Sequence, residues 1–425
     1  MRQAPGSPGW KRPLVISFAL AVGLGSLGRP ESVAQTSKPS QALQHEVRVV
    51  NIEVPVRVFD GDRFVENLTL EDFEVTENGV PQKLLAVYLV RNAALERKEE
   101  VTPFVLPKMG RNFFLFFQVY THDPKTDDAI AYFVRNVLKP EDGLTVVTSV
   151  RPYRLKRDQL QESTKEKLSQ QLADLVRRDT LIGNTEYRSI LEELRRMTAE
   201  GGTDTTGARQ PDLTLFGEGG WQEFLMNYRD LRERLEKIRS FDIDRLLSFA
   251  DYLKTTEGQK IVLMFYQREY MPMVDRKRYV GQFEDPTDLV VEQGFHDLFD
   301  VYKRDVKVDA ELIKRVFSDA SISIHFLFIT RTPEHVGGVS DAAMEEHSED
   351  IFSPFLEMAK ATGGLAESSS NPASLMQKSA VASENYYLLY YRPSDPTADG
   401  KFRNIKVAVK GKGFRILHRA GYLAK

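Results

Sequence analysis

The chain has 425 residues and no cysteine. Disulfides, thiolate metal sites, a cysteine nucleophile and lipid attachment through cysteine are thereby excluded. A chain of this size without cross-links must be held by its core, which suits a bacterial envelope or secreted protein better than a eukaryotic ectodomain. An excess of one charge is also missing. The 58 Lys and Arg face 61 Asp and Glu, for a formal net charge of −3, and that balance gives no support for a nucleic-acid partner. Enzyme signatures are missing too. There is no Gly-x-Ser-x-Gly, no His-Glu-x-x-His and no dinucleotide glycine fingerprint, and Gly201-Gly202-Thr203 lacks the Gly-Lys-Ser/Thr of a phosphate loop. His122, His296, His325, His335 and His347 are scattered. His325 sits inside an apolar strand pattern and reads as a packed core residue rather than a base or ligand. No catalytic residue is expected.

What is present begins at the N-terminus. Arg2, Lys11 and Arg12 precede the apolar run Leu14–Leu24, and Ser32-Val33-Ala34 places small residues at the −3 and −1 positions of a cleavage site. This pattern predicts a secretory signal peptide over residues 1–34, cut after Ala34, and a secreted or periplasmic mature protein. The run falls short of the roughly 20 residues of a spanning helix, and no later stretch is long and apolar enough to span. Residues 35–45 are polar and read as a flexible lead-in.

Residues 46–108 read as one part of a small β domain. Val47, Val49, Ile52, Val54, Val56 and Val58 alternate. Asp60-Gly61-Asp62 and Glu77-Asn78-Gly79 supply turn chemistry, the paired carboxylates of the first being a turn rather than a calcium loop. Arg91–Lys108 reads as a linker. Residues 109–383 change rhythm to strands alternating with helices, the pattern of a parallel α/β sheet. Its first strand, within Arg111–Pro124, carries Phe113-Phe114-Leu115-Phe116-Phe117, an unbroken apolar run suited to burial on both faces. Further strands are expected at Gly143–Val150, Lys260–Tyr266 and Ile322–Ile329. Helices are expected at Asp127–Leu138, Thr164–Arg178, Thr185–Met197, Trp221–Lys254 (broken near Ser240), Leu289–Lys303, Ala310–Asp319 and Phe352–Thr362. Residues 199–220, 268–288 and 331–348 read as loops. Residues 384–425 return to strands that have no sheet of their own nearby, so they are expected to complete the N-terminal β domain.

The residues that mark both ends carry a resemblance. Leu68-Thr69-Leu70-Glu71-Asp72-Phe73-Glu74-Val75, Glu77-Asn78-Gly79-Val80-Pro81-Gln82, Tyr386-Tyr387-Leu388-Leu389-Tyr390-Tyr391-Arg392-Pro393, Asp399-Gly400-Lys401-Phe402-Arg403-Asn404-Ile405-Lys406-Val407 and Arg419-Ala420-Gly421-Tyr422 stand in an order that resembles the VWFA-related domain proteins abundant in Acidobacteria. The resemblance covers nearly the whole mature chain. It implies a von Willebrand factor A-like, doubly wound, mostly parallel sheet inserted into a small β domain built from N- and C-terminal strands. It also implies a metal-ion-dependent adhesion site, in which oxygen ligands hold Mg²⁺ in octahedral geometry with one position open to a partner's carboxylate.

At the matching positions this chain has Gln118, Tyr120 and His122 after the first strand and Gln267 after the fourth. Only Thr185, in Gly183-Asn184-Thr185-Glu186-Tyr187, keeps a candidate ligand. One hydroxyl without a carboxylate cannot hold a divalent cation against water, so the site is expected to be degenerate, with no metal and no cofactor. Asp127 and Asp128 read as favourable charges at a helix N-terminus. The expected function is a non-enzymatic protein-interaction module that contacts an unknown protein partner through Tyr120, Thr121, Asp123, Thr185 and Arg268. The alternatives are a metal-dependent adhesion protein with a rebuilt site and an envelope hydrolase using carboxylates at the strand ends.

Overall fold

The computed structural model describes residues 51–92, 94–101, 110–200, 220–238, 243–274, 309–317, 321–331, 342–346, 348–411 and 413–424, with positions 289, 293, 294, 296 and 297. The expected signal peptide and lead-in, most of the 199–220 loop and nearly all of the Leu289–Lys303 helix lie outside the described residues.

The N-terminal strands are β1 (Ile52–Asp60), β2 (Arg63–Phe64), β3 (Phe73–Glu77), β4 (Val80–Gln82), β5 (Leu84–Arg91) and β6 (Ala94–Glu100). The α/β segment opens with β7 (Arg111–Gln118) and α1 (Pro124–Tyr132), which continues into a π turn over Phe133–Val137. Then come β8 (Gly143–Val147), β9 (Pro152–Leu155), α2 (Arg157–Glu162), α3 (Lys165–Gly183), α4 (Thr185–Glu200), α5 (Gly220–Ile238) and α6 (Ile243–Thr255). They are followed by β10 (Gln259–Gln267), β11 (Tyr270–Val274), α7 (Ala310–Val316), β12 (Ile322–Ile329), β13 (Ala342–Glu346), α8 (Glu349–Thr362), β14 (Ala366–Ser369) and α9 (Pro372–Glu384). The chain closes with β15 (Tyr386–Tyr391), β16 (Phe402–Val409), β17 (Arg415–His418) and β18 (Gly421–Leu423).

The fold is mixed α/β. Its central sheet has the order β14-β12-β10-β7-β8-β9. Its neighbours are parallel, apart from β9, which runs antiparallel to β8. The apolar runs of β7, β10 and β12 suit this place because helices cover both faces. On one face Phe113, Leu115 and Phe117 pack with Ile130 and Phe133, with Leu168, Leu172 and Val176 of α3, and with Leu375 and Met376 of α9. On the other, Phe114 packs with Leu246 and Leu253 of α6, Ile313 of α7 and Met358 of α8. Each such fully buried side chain contributes about 1.5–3 kcal/mol, so this double-sided core fixes the ends of β7 and β10 firmly in space.

The terminal strands pair with each other. β1 lies antiparallel to both β15 and β17, and β15 to β5. A second sheet, β18-β16-β3-β4, packs on them through Val54, Val56, Phe73, Val75, Tyr387, Leu389, Ile405 and Val407. The opposite face of β1 meets the α/β segment, where Phe59 touches Leu365 and Ala382.

Several elements differ from the sequence expectation. Part of the expected linker Arg91–Lys108 is strand β6, paired with β5. Its Ala-Leu-Glu-Arg-Lys-Glu-Glu sequence hides the strand because an edge position carries charge instead of apolar alternation. Within the expected loops, β11 and β13 pair antiparallel. The helix expected over Asp127–Leu138 begins earlier, at Pro124, because Asp123 caps it by accepting from the Lys125 N–H at 2.9 Å and Pro suits the first turn. The stop at Gly363 holds, with φ +68 in the left-handed region.

Candidate functional site

β7 and β10 are neighbours, while β8 lies on the far side of β7 and β12 on the far side of β10. The chain therefore leaves the carboxyl ends of β7 and β10 in opposite directions, which opens a crevice there, the usual ligand position in such sheets. The segment Gln118–Asp123 and residues Gln267–Glu269 form its floor.

Gln267 is 1% exposed. Its Oε1 accepts from the backbone N–H of Tyr120 at 3.1 Å and of Thr121 at 3.0 Å, and its Nε2 donates to the Thr121 carbonyl at 3.1 Å. From the other side the Asn184 Nδ2 donates to the Val119 carbonyl at 2.9 Å and to the Thr180 carbonyl at 2.8 Å. Two amide side chains thus hold the loop after β7 in place. Asn184 was not among the expected site residues, because its sequence context marks only a helix start.

The other expected residues are placed as follows. Tyr120, expected on the contact face, is buried at 5% exposure. It packs on Tyr187 with ring centroids 5.0 Å apart, inside a small core with Leu194, Phe224, Tyr228 and Met271. Thr185 is exposed, and its hydroxyl donates to the Leu181 and Ile182 carbonyls at 3.1 and 2.9 Å, bonding that ties it to the last turn of α3. Gln118 is half-buried at the end of β7, and Thr121 is half-buried beside it. His122 Nε2 stands 3.4 Å from Asp127 Oδ2, while His122 Nδ1 and Asp127 Oδ1 are buried without a hydrogen-bond partner. Asp123 is the cap of α1. Arg268 pairs with Glu346 at 2.9 Å and lies over the Phe328 ring at 5.7 Å. Burial opposes its charge, but Tyr270 and Glu346 outweigh burial and hold the guanidinium above its ordinary value. The structure therefore brings Tyr120, Thr121 and Gln267 together and leaves Thr185 and Arg268 with partners of their own.

These residues do not fit an octahedral Mg²⁺ site. The Gln267 amide oxygen is taken up by two N–H donors, the Thr185 hydroxyl is bonded to the end of α3, and no carboxylate joins them among the described residues. Among the described residues no three His, Asp or Glu converge as a metal group.

One further feature lies next to the pinned loop. Val150 is 45% exposed, Leu181 47% and Ile182 61%. A Cβ on Gly183 would stand 3.1 Å from Val150 Cγ2, so the α3–α4 junction and the end of β8 abut. Three exposed aliphatic residues thus lie on adjoining chain segments next to the pinned loop.

No family model matches this chain, and no curated protein matches it. No helix among the described residues is long and apolar enough to cross a membrane.

Proposed function

We propose that this chain is an exported, non-enzymatic protein-interaction module built on a von Willebrand factor A-like unit, in which side-chain amides hold the loop that a cation would otherwise organise. The fold reading is supported by the sheet. Counted within the α/β segment, its strands run 6-5-4-1-2-3 with the third antiparallel, the doubly wound order with a switch point between the first and fourth strands. The metal-independent reading is supported by the bonding of Gln267. The interaction reading rests on one observation, the exposed Val150, Leu181 and Ile182 beside a rigidly held loop. Thr121 and Asp123 lie on the neighbouring loop. A photo-crosslinking residue placed at Ile182 tests it in the producing cell. The expected result is one reproducible crosslinked protein, lost when Leu181 is changed to Asp. The same set of weak adducts from Ile182 and from a control position on the opposite end of the sheet would refute it. Export is tested by the mass of the cell-derived protein, which should begin at Gln35.

A further inference from the structure

At the opposite end of the central sheet, Arg57 of β1 reaches into the α/β segment. It is 3% exposed. Its Nε donates to the Ala382 carbonyl, its Nη1 to the Gly363 carbonyl at 2.9 Å and its Nη2 to Ser323 Oγ at 3.0 Å. All three acceptors are neutral, and each η nitrogen carries a second N–H. Burial pushes this guanidinium down to about 10. Arg111 is nearby, but its charge is answered. It binds both oxygens of Asp142, at 2.9 and 2.7 Å, and Glu384 at 3.2 Å, with Lys139 also acting on Glu384. Arg57 lies over the Tyr386 ring, 5.5 Å from its centroid, but has no carboxylate in ion-pair range among the described residues, a costly arrangement for a buried cation unless compensated further.

Beside it lies a cavity of about 20 Å³ lined by Arg57, Ser323, Thr362, Ser383, Tyr386 and Gln259, among others. That is room for one water-sized occupant. Its hydrogen bonding is one-sided. His325 Nδ1 accepts from the Leu365 N–H at 3.2 Å, so Nε2 carries the proton and is shared between Ser323 Oγ at 3.1 Å and Ser383 Oγ at 3.3 Å. The Ser383 hydroxyl donates to the Ser379 carbonyl at 2.6 Å, and that of Thr362 to the Met358 carbonyl at 3.0 Å. Ser323 already accepts from both Arg57 and His325, so its own O–H remains to be given. The Tyr386 hydroxyl, on a residue 7% exposed, has no protein partner among the described residues. Donors dominate the groups left over: Ser323 O–H, Tyr386 O–H, the Arg57 N–H groups and the Gln259 amide N–H, against the Gln259 amide oxygen as the one carbonyl acceptor in the lining, where Arg111 adds a second positive charge. A water molecule there needs acceptors for two protons, whereas an anion needs donors only.

We propose that this cavity binds a small inorganic anion of the halide class, which compensates Arg57 and ties β1 to the α/β segment. The site is distinct from the candidate contact face at the other end of the sheet. The test uses the full mature chain and two probes, bromide and chloride. Crystals soaked in sodium bromide should show one anomalous peak within contact distance of the Arg57 guanidinium and the Tyr386 hydroxyl. In solution, at constant ionic strength, replacing gluconate by chloride should lower the unfolding constant, up to tenfold for each tenfold rise in chloride once the site is saturating. Tyr386→Phe, which removes one donor and keeps the ring, should weaken this chloride dependence severalfold while the protein stays folded. Arg57→Met should abolish it if that variant folds. A cavity that shows only water in the bromide crystals, with unfolding indifferent to the exchange of chloride for gluconate, would overturn the proposal.

Discussion

Gln267→Leu is the change that most directly probes the crevice. The substitution leaves an aliphatic side chain one atom shorter and removes the amide. It leaves the Tyr120 N–H, the Thr121 N–H and the Thr121 carbonyl without the bonds that Gln267 makes at 3.1, 3.0 and 3.1 Å. A buried polar group left unsatisfied costs about 1–3 kcal/mol. The Tyr120 N–H is fully enclosed and should carry most of that cost, while Thr121 is half-buried and recovers part of its loss from water. The expected destabilisation is therefore about 3 kcal/mol, slightly more than a hundredfold in the unfolding constant. Urea unfolding gives the total, and amide exchange of residues 118–123 shows where it falls. Gln267→Glu is the informative companion. Its carboxylate keeps two acceptors for the N–H groups but turns an oxygen towards the Thr121 carbonyl. Protonation removes that clash and supplies a donor, so the native state of this variant takes up a proton more readily than the unfolded chain, and its deficit should shrink as the pH falls towards 5. A Leu variant within 0.5 kcal/mol of wild type, with unchanged exchange at Tyr120 and Thr121, would refute the idea that this amide organises the loop.

Other expectations can be checked separately. Burial, aided by Arg57, holds His325 well below its ordinary value, so the unfolded chain binds a proton that the native state does not. Stability should be complete above about pH 6.5 and fall by about 1.4 kcal/mol per unit below it, a slope that buried His418, also lowered mainly by burial, reinforces; urea unfolding between pH 7.5 and 5 measures it. In Gly364→Ala the new Cβ would lie 1.8 Å from the Ile324 carbonyl oxygen, backbone that cannot give way, so a loss of about 3 kcal/mol or more is expected in thermal or urea unfolding. Thr185→Ala removes only an exposed hydroxyl bonded to the last turn of α3 and should change stability by less than about 0.5 kcal/mol and partner crosslinking not at all. Mg²⁺ calorimetry on the mature chain should show no stoichiometric binding, and a chelator should leave the thermal midpoint unchanged.

The parts of the fold that could be read from sequence are those where a local pattern and the tertiary outcome agree. Phe113–Phe117 and Ile261–Phe265 are continuous apolar runs, Ile322–Ile329 is apolar but for Ser323 and His325, and each became a strand enclosed by helices. Leu168, Leu172 and Val176 marked the buried side of α3 in the same way. Strand β14 (Ala-Glu-Ser-Ser) was not legible because its parallel pairing with β12 stabilises it without an apolar pattern of its own. Helix α9 was missed although a signal was present: Asn371 followed by Pro372 is a cap and first-turn pair, and Asn371 does accept from the Ala373 N–H at 3.0 Å. At the crevice the limit is different in kind. Gln118, Gln267 and Thr185 could be placed by strand and helix boundaries, but Gln267 bonds a segment some 146 residues away. No local pattern states which way a side chain turns at that range. Thr185 shows the reverse, since its motif position suggested a ligand while the last turn of the preceding helix α3 claimed its hydroxyl.

The same contrast bears on how such a surface would recognise a partner. A metal-centred face needs a carboxylate from outside to complete the cation's shell, so one acidic residue dominates its specificity. Here Gln267 and Asn184 bond the Val119, Tyr120 and Thr121 backbone from within, so these groups do not depend on a cation. The exposed surface beside this loop is apolar: Val150, Leu181 and Ile182, each about half or more exposed. Full burial of such side chains contributes about 1.5–3 kcal/mol each. Half of that is already realised in the free protein, leaving about 3 kcal/mol from the three together. That is well below the roughly 8 kcal/mol of a micromolar complex, before the cost of association. On the proposed reading the trio would therefore be the centre of a larger contact, with Thr121, Asp123 and the neighbouring helix surfaces forming its rim, and a partner that fits it should present an apolar patch rather than an acidic tip.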